Sequence, residues 1–246
     1  MHQTQTLENK QKHEQGGIEL PSDKTVYAWA GTDGEMTGAQ KVLDFYREYA
    51  LIQIGLALTP NTIFVSDIGH QTYNWTQEAL DVNKFTHERI KAGPPPAEVD
   101  KALVNFVAAQ IPGERVRLIP VGWNVGHFDV PFVRYWLPDF ARLLGYRSVD
   151  LNAVTYTAAQ VTGRAYDKIK NAAKRYAERV LARPKDWHNA GFDAAAALAS
   201  WEYLIKLLGG TWAMADLDRD KSDFKFKAKL EPFLKETFDA VAQLPD

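Results

Sequence analysis

Apolar and β-branched runs in the first half of the chain predict three strands. The segments 25–30, 51–59 and 62–68 are rich in Val, Ile, Leu and aromatic residues, with Pro, Asn, Asp or Gly at their ends, a pattern typical of strands. Only Pro60 and Asn61 separate the second run from the third, so we expect these two strands to form an antiparallel hairpin.

Helical periodicity follows and alternates with further strands. Thr76 is placed where it can cap the start of a helix, and Gly93, followed by three prolines, predicts the end of that helix. Most of the chain after 151 is predicted to be helical. This alternation predicts an α/β domain, a mixed sheet flanked by helices with a helical C-terminal extension. The elements expected in the middle of the chain are helices over 76–91, 97–110 and 131–144 and strands over 116–122 and 147–151.

Composition narrows the class of protein. The chain has 246 residues, 46% of them hydrophobic, and no cysteine, which excludes disulfides, thiolate metal sites and thiol catalysis. A net charge of −2 gives no general attraction to polyanions. An enzyme acting on nucleic acid would therefore need local basic patches or bound cations.

Three segments are expected along the chain. Residues 1–22 form a flexible polar tail, 23–210 the main domain, and 211–246 a charged loop with a last helix packed on the domain. The tail has no apolar signal-peptide core, and no later run is long enough to cross a membrane. We expect a cytoplasmic protein with no membrane partner.

A first pair of carboxylates directly follows the first predicted strand. Asp33 and Glu35 are two residues apart, so on extended backbone they point the same way and reach one site. Gly34 between them lets a ligand approach the backbone. The alternative interpretation is a polar turn, because Asp-Gly followed by Thr-Gly is also common in loops.

A second acidic position follows the strand over 116–122. Asn124 and Asp129 lie on the connection to the helix that begins near Pro131. Asp129 could cap that helix, and capping does not exclude metal binding. His127 is taken as structural.

A third cluster opens the long Ala-rich helix. His188 and Asp193 are five residues apart, or about 140° around an ideal helix, so they would not share a face if both were helical. We therefore predict that His188 lies before the helix, on a segment able to move, with its ring over the site that Asp193 faces. The alternative is an Asp that stabilises the helix N-terminus and a surface His.

A basic segment precedes this cluster. Residues 164–185 contain eight Lys or Arg against Asp167 and Glu178, a balance of 8 − 2 = +6. A solvated helix face is the default interpretation, and a surface that contacts phosphates is the alternative.

Together the three clusters resemble the motifs of the DEDDh 3′→5′ exonucleases, which have a ribonuclease-H-like fold. This family includes polymerase proofreading domains, oligoribonuclease and ribonuclease T. Asp33 to Gly38 matches Asp-x-Glu-x-Thr-Gly, and the resemblance covers residues 25–208. Two departures are Trp123, where His is common, and Gly31-Thr32 before Asp33. The other matches are Asn124, Phe128 and Asp129 in the second motif and His188, Ala190 and Asp193 in the third.

The resemblance implies chemistry and ligands. Asp33, Glu35, Asp129 and Asp193 would hold two Mg²⁺ or Mn²⁺ ions, which prefer oxygen ligands, and His188 would act as the base. Met36 and Thr37 would lie against the terminal nucleotide, and Asn124 would help to position the strand. The implied partner is single-stranded nucleic acid with a free 3′ end.

Several alternatives stay open at this stage. The chain could be a non-catalytic nucleic-acid- or partner-binding module on the same fold, a two-metal endonuclease, or a structural protein whose acidic residues are caps. DNA is slightly favoured over RNA, because the longer chain does not match the compact oligoribonuclease. A homodimer is one expectation, since several family members are dimers.

Overall fold

A five-stranded mixed sheet forms the centre of the structure, a computed structural model that describes residues 25–38, 44–112, 115–181 and 185–209. The strands are β1 (Thr25–Met36), β2 (Leu51–Thr59), β3 (Thr62–Asp67), β4 (Arg115–Gly122) and β5 (Val149–Asp150). Their order in the sheet is β3-β2-β1-β4-β5. The first three strands pair antiparallel as a meander, whereas β4 pairs parallel to β1 and β5 parallel to β4.

Helices cover both faces of the sheet, which confirms the predicted α/β class. The fourth to sixth helices pack with Ile54 and Leu56 on one face, and the seventh to ninth pack with Ala57 and Val121 on the other. The helices are α1 (Phe45–Glu48), α2 (Gln77–Asn83), α3 (His87–Ala92), α4 (Pro96–Gln110), α5 (Asp129–Trp136), α6 (Pro138–Ala141), α7 (Leu151–Thr162), α8 (Tyr166–Val180) and α9 (Ala190–Leu207).

The first strand is longer than predicted. It continues to Met36 because β2 still pairs with it there, with Asp33 opposite Gly55 and Glu35 opposite Gln53. Its pairing with β4, by contrast, ends at Gly31. Asp33 and Glu35 therefore lie within the strand and not directly after it, on a stretch with no strand neighbour on the β4 side among the described residues.

Two predicted helices are each divided in two. The prediction of one helix over 76–91 is wrong: Thr76 caps α2 as expected, but Lys84 adopts a left-handed conformation and the Asn83 side chain accepts a hydrogen bond from Phe85 N, so the chain turns before α3. The helix predicted over 131–144 begins at Asp129 and breaks at Leu137. Pro138 explains the second break, because the residue before a proline is disfavoured in helical conformation.

The last helix lies against the sheet at unusually short range. A Cβ at Gly31 would lie 2.0 Å from the carbonyl oxygen of Ala194, and one at Gly55 would lie 1.9 Å from that of Ala190. Only glycine fits at both positions. These two contacts fix the N-terminal half of α9 across β1 and β2.

Gly55→Ala should displace the start of α9 from the sheet. Overpacking of this kind destabilises a fold by about 1–3 kcal/mol, and we expect a lower melting temperature together with loss of any activity that depends on the residues at the start of α9. Gly145→Ala is the matched control, since its Cβ would meet nothing closer than 3.3 Å. Equal melting temperatures for the two variants would contradict the close approach.

Some predictions fall outside the described residues. The tail 1–22 and the charged loop and helix over 211–246 lie there. Of the helices described, none is long and apolar enough to cross a membrane.

Candidate active site

The first carboxylate pair points towards the start of α9. In a strand, residues 31, 33 and 35 share one side, and the side of Gly31 faces Ala194 of α9. Asp33 and Glu35 therefore project towards the end of the helix where Asp193 stands. Glu35 is buried and Asp33 half-buried.

Asp129 joins the pair from the unpaired edge of β1. Its Oδ1 accepts a hydrogen bond of 3.0 Å from the backbone N–H of Gly34, and the side chain is buried. The interpretation of Asp129 as a helix cap is wrong, because Phe128 occupies the cap position and α5 has no side-chain cap. Gly34 thus links the first acidic cluster directly to the second.

His188 lies outside α9, as predicted. It has a left-handed backbone with φ of 68°. The helix α9 begins after His188 because the Asn189 side chain caps the helix, accepting hydrogen bonds from Gly191 N and Phe192 N. The His188 backbone N–H donates to Asp193 Oδ2 over 2.9 Å. The turn therefore folds back over Asp193 and leaves the imidazole exposed.

Three of the side chains approach closely enough to share one ion. One ligand atom each from Glu35, His188 and Asp193 lies within 4.8 Å of the others. Asp33 and Asp129 lie near enough to interact electrostatically with both Glu35 and Asp193. Four carboxylates and one imidazole from three distant parts of the chain thus meet at one end of β1.

Burial and mutual repulsion raise the pKa values of these carboxyl groups. Burial, followed by repulsion from Asp193 and Asp129, raises the pKa of Glu35 to about 8. Burial raises the pKa of Asp129 to about 7 and that of Asp193 to about 6. Burial and then Asp129 raise the pKa of Asp33 well above its ordinary value.

The donor set fits a hard divalent cation. Asp193 Oδ1 is buried and has no hydrogen-bond partner among the residues that the structure describes, although buried acceptors are normally paired. Mg²⁺ and Mn²⁺ prefer carboxylate oxygens, and positive charge would relieve the repulsion. The unpartnered oxygen and the raised pKa values are both what a cation site predicts.

A cavity of about 440 Å³ opens beside the cluster, a size typical of small-ligand sites. Met36 lines it, as does Phe128 from the second motif. Thr37 does not, being fully buried with its hydroxyl donating to the carbonyl of Asn74 and accepting from Ala50 N. The other lining residues are Gly34, Glu35, Gly38, Thr76, Glu78, Ala79, Val82 and Asn83.

Asn124 begins the turn that leads to Asp129. It is exposed and left-handed, with φ of 62°, and its carbonyl accepts from His127 N and Phe128 N. Its side-chain oxygen accepts from Asn152 Nδ2 at 2.8 Å. Asn124 therefore lies between the carboxylates and the start of α7.

Sequence reasoning missed Gln53. This buried side chain accepts a hydrogen bond from Ala190 N at 2.8 Å and donates to Asp67 Oδ1 at 2.7 Å, and Arg89 holds Asp67 through two nitrogen atoms. The chain of contacts ties the start of α9 to the sheet. A lone Gln in the apolar run 51–58 was the available signal.

Several solved nuclease structures are similar to this chain. Cell-death related nuclease 4 superposes with a TM-score of 0.50 at 13% identity, over 76% of this chain and 65% of that one. A 3′-exonuclease that recognises the 3′ end of the histone mRNA stem-loop gives 0.48 at 13% identity, over 74% and 82%. The nuclease domain of 3′hExo, a DEDDh family member, bound to rAMP, gives 0.46 at 12% identity, over 74% and 92%.

The comparisons bear on the fold alone. No protein-family model and no curated protein sequence matches the chain, and identities this low show shared architecture only. The five-stranded mixed sheet flanked by helices is the ribonuclease-H-like fold that the three motifs imply. The chain thus resembles the DEDDh 3′→5′ exonucleases in its motifs and cell-death related nuclease 4 in its fold.

Proposed function

We propose that this protein is a metal-dependent 3′→5′ exonuclease that hydrolyses single-stranded nucleic acid, DNA in preference to RNA, and releases 5′-mononucleotides. One observation carries the proposal: Asp33, Glu35, Asp129 and Asp193 converge with His188 at the end of one strand, although up to 160 residues separate them in the sequence. A binding module would not need a carboxylate oxygen left buried without a partner.

The four carboxylates would hold two Mg²⁺ or Mn²⁺ ions. When bound, such ions lower the pKa of a water nucleophile and stabilise the charge on the leaving 3′ oxygen. Glu35 and Asp193 lie on the His188 side of the cluster, whereas Asp129 is fixed from the side of Gly34. The residues thus surround the place where a phosphodiester would react.

His188 would remove a proton from the attacking water. The imidazole is exposed beside Glu35 and Asp193, and only its backbone is held by Asp193. Met36 and Phe128 supply apolar surface in the adjoining cavity, where a terminal base can pack. Thr37 would act by holding the loop at the end of β1, and Asn124 by fixing the turn before Asp129.

The direct test uses 5′-labelled single-stranded DNA and RNA oligonucleotides with Mg²⁺, Mn²⁺ or EDTA. We expect a ladder of 3′-shortened products with either metal, faster for DNA, and none with EDTA. Cutting of a circular single strand would identify an endonuclease instead. Binding without cleavage under every metal condition would support a non-catalytic module and overturn the proposal.

His188→Asn should slow cleavage by about 10²–10⁴-fold, the usual contribution of a general base. Asn tolerates the left-handed backbone, so the turn should persist. His127→Asn is the control, as an exposed histidine on the neighbouring turn, and should cleave at the wild-type rate. An unchanged Mn²⁺ dependence would identify His188 as a base; a higher Mn²⁺ requirement with an unchanged maximal rate would make it a ligand and contradict its proposed role.

A further inference from the structure

One ridge of α8 faces the carboxylate cluster. Ile169, Ala173 and Ala177 form the buried side of the helix, and the half-buried Lys170 and Lys174 lie next to it, one turn apart. Lys174 Nζ lies over the ring of Trp187, the residue that directly precedes His188, and its charge opposes the rise that burial causes in the pKa of Asp193. The basic segment therefore has a side that is directed at the site.

Aromatic rings hold both amino groups in place. Lys170 Nζ lies 5.0 Å from the centroid of the Trp123 ring, and Lys174 Nζ lies 4.8 Å from that of Trp187. Neither lysine forms a salt bridge with a residue that the structure describes. The two neighbouring cations are thus held by ring faces and hydrogen bonding, with no direct ion pair among the described residues, although Asp150 and Asp167 lie near Lys170, and Glu178 and Asp193 near Lys174. A phosphate group of a ligand could supply the direct ionic contact.

A polar and aromatic path continues from the ridge away from the cluster. Lys170 Nζ contacts Asn152 Oδ1 at 3.4 Å, and Tyr166 donates to the same oxygen. The Tyr166 ring stacks on that of Tyr156 with centroids 4.2 Å apart, and Tyr156 is 58% exposed. Cations followed by exposed rings are the usual platform for single-stranded nucleic acid.

We propose that Lys170 and Lys174 bind successive phosphates of the substrate strand on the 5′ side of the scissile bond, and that Tyr156 stacks under a base farther along. The proposal rests on the exonuclease function above and assigns the strand its path. The cavity at Met36 receives the terminal nucleotide from the other side of the carboxylates. The remaining cations of α8 are not part of this path; Arg175 and Arg179, for example, lie near Tyr203 of α9, where their charge opposes the rise that burial causes in its pKa.

The test measures binding apart from cleavage. A fluorescein-labelled dT12 oligonucleotide is titrated against the full chain carrying Asp193→Asn, which removes a ligand carboxylate, and anisotropy is followed from 50 to 200 mM salt. Lys170→Gln with Lys174→Gln should raise Kd at least tenfold. It should also flatten the slope of log K against log salt by about 1.4, the value for two phosphate contacts on a single strand.

Lys168→Gln with Arg175→Gln is the matched control. It removes the same charge from exposed positions of the same helix and should change Kd less than twofold. Equal effects of the two pairs would show general attraction to a basic helix and overturn the proposal. Lys170→Arg with Lys174→Arg keeps both positive charges and should therefore restore affinity. Restored affinity would show that the Gln pair weakens binding by removing charge and not by disturbing the fold.

The outcomes separate this inference from the proposed function. If the wild type cleaves but the variant with Lys170→Gln and Lys174→Gln binds as tightly as the control variant, the exonuclease proposal stands and the strand path is wrong. If the wild type does not cleave, but the Lys170/Lys174 double variant weakens binding and the control variant does not, the strand path stands and the proposed exonuclease activity is wrong. In the chain that retains Asp193, the Lys170/Lys174 double variant should raise KM and leave kcat within about threefold of the wild-type value.

Discussion

We expect Asp193→Asn to abolish cleavage and at the same time to make the cation-free protein more stable. The Asn side-chain oxygen can still accept the 2.9 Å hydrogen bond from His188 N, so the turn before α9 is kept. What disappears is a negative charge that burial already disfavours, as the pKa of about 6 shows. Fewer repelling carboxylates stabilise the empty cluster, while cation binding loses a ligand.

The activity should fall at least about 10³-fold, because a metal ligand contributes several kcal/mol of transition-state stabilisation. The rate is measured on the oligonucleotide ladder and the melting temperature in EDTA at pH 8. A higher melting temperature with no activity cannot be explained by misfolding.

Asp186→Asn provides the comparison. Asp186 is exposed, and its charge raises the pKa of Asp193 from outside the cluster, so its removal changes the local charge equally and should leave cleavage near the wild-type rate. A wild-type rate for Asp193→Asn would refute the site assignment even if the protein proved to be a nuclease.

The cation-free protein should lose stability as the pH rises from about 5 to about 8.5. In the unfolded chain carboxyl groups ionise near pH 4, whereas in the folded chain the pKa values of Asp193, Asp129 and Glu35 are about 6, 7 and 8. The folded state therefore holds more protons in this range. The free energy of unfolding then decreases with pH and is lowest above pH 8, where all three groups are ionised.

Divalent cations should reverse this loss. At pH 8.5 most of these carboxyl groups have lost their protons, so millimolar Mn²⁺ binds and stabilises the folded state by mass action; at pH 5.5 protons compete and the effect is small. For a domain of this size each kcal/mol corresponds to about 2–4 °C in melting temperature, and we expect a difference of several degrees. A melting temperature in EDTA that stays flat or rises between pH 5 and 8.5 would contradict the carboxylate cluster.

The sequence predicted which residues meet at the end of β1 better than it predicted the elements that carry them. Asp33, Glu35 and His188 were recognisable because motif spacing constrains the chemistry, and the displacement of His188 from α9 followed from helix geometry alone. The length of β1 was not predictable, since it depends on how far β2 continues to pair.

Contacts between distant residues explain what the sequence could not show. The hydrogen bond from Ala190 N to Gln53 joins positions 137 residues apart, and no local pattern encodes it. Likewise, eight basic residues over 164–185 looked equivalent in the sequence. Only the packing of α8 distinguishes Lys170 and Lys174 from the others.

The end of β1 has a consequence for solubility. From Thr32 onward this strand has no β4 partner, and an unpaired strand edge is a template for pairing with another molecule. Asp129 occupies that edge through its hydrogen bond with Gly34 N, so this backbone donor is not available to an incoming strand. Asp129 therefore pairs the backbone donor that strand pairing at Gly34 would use, independently of any ion it binds.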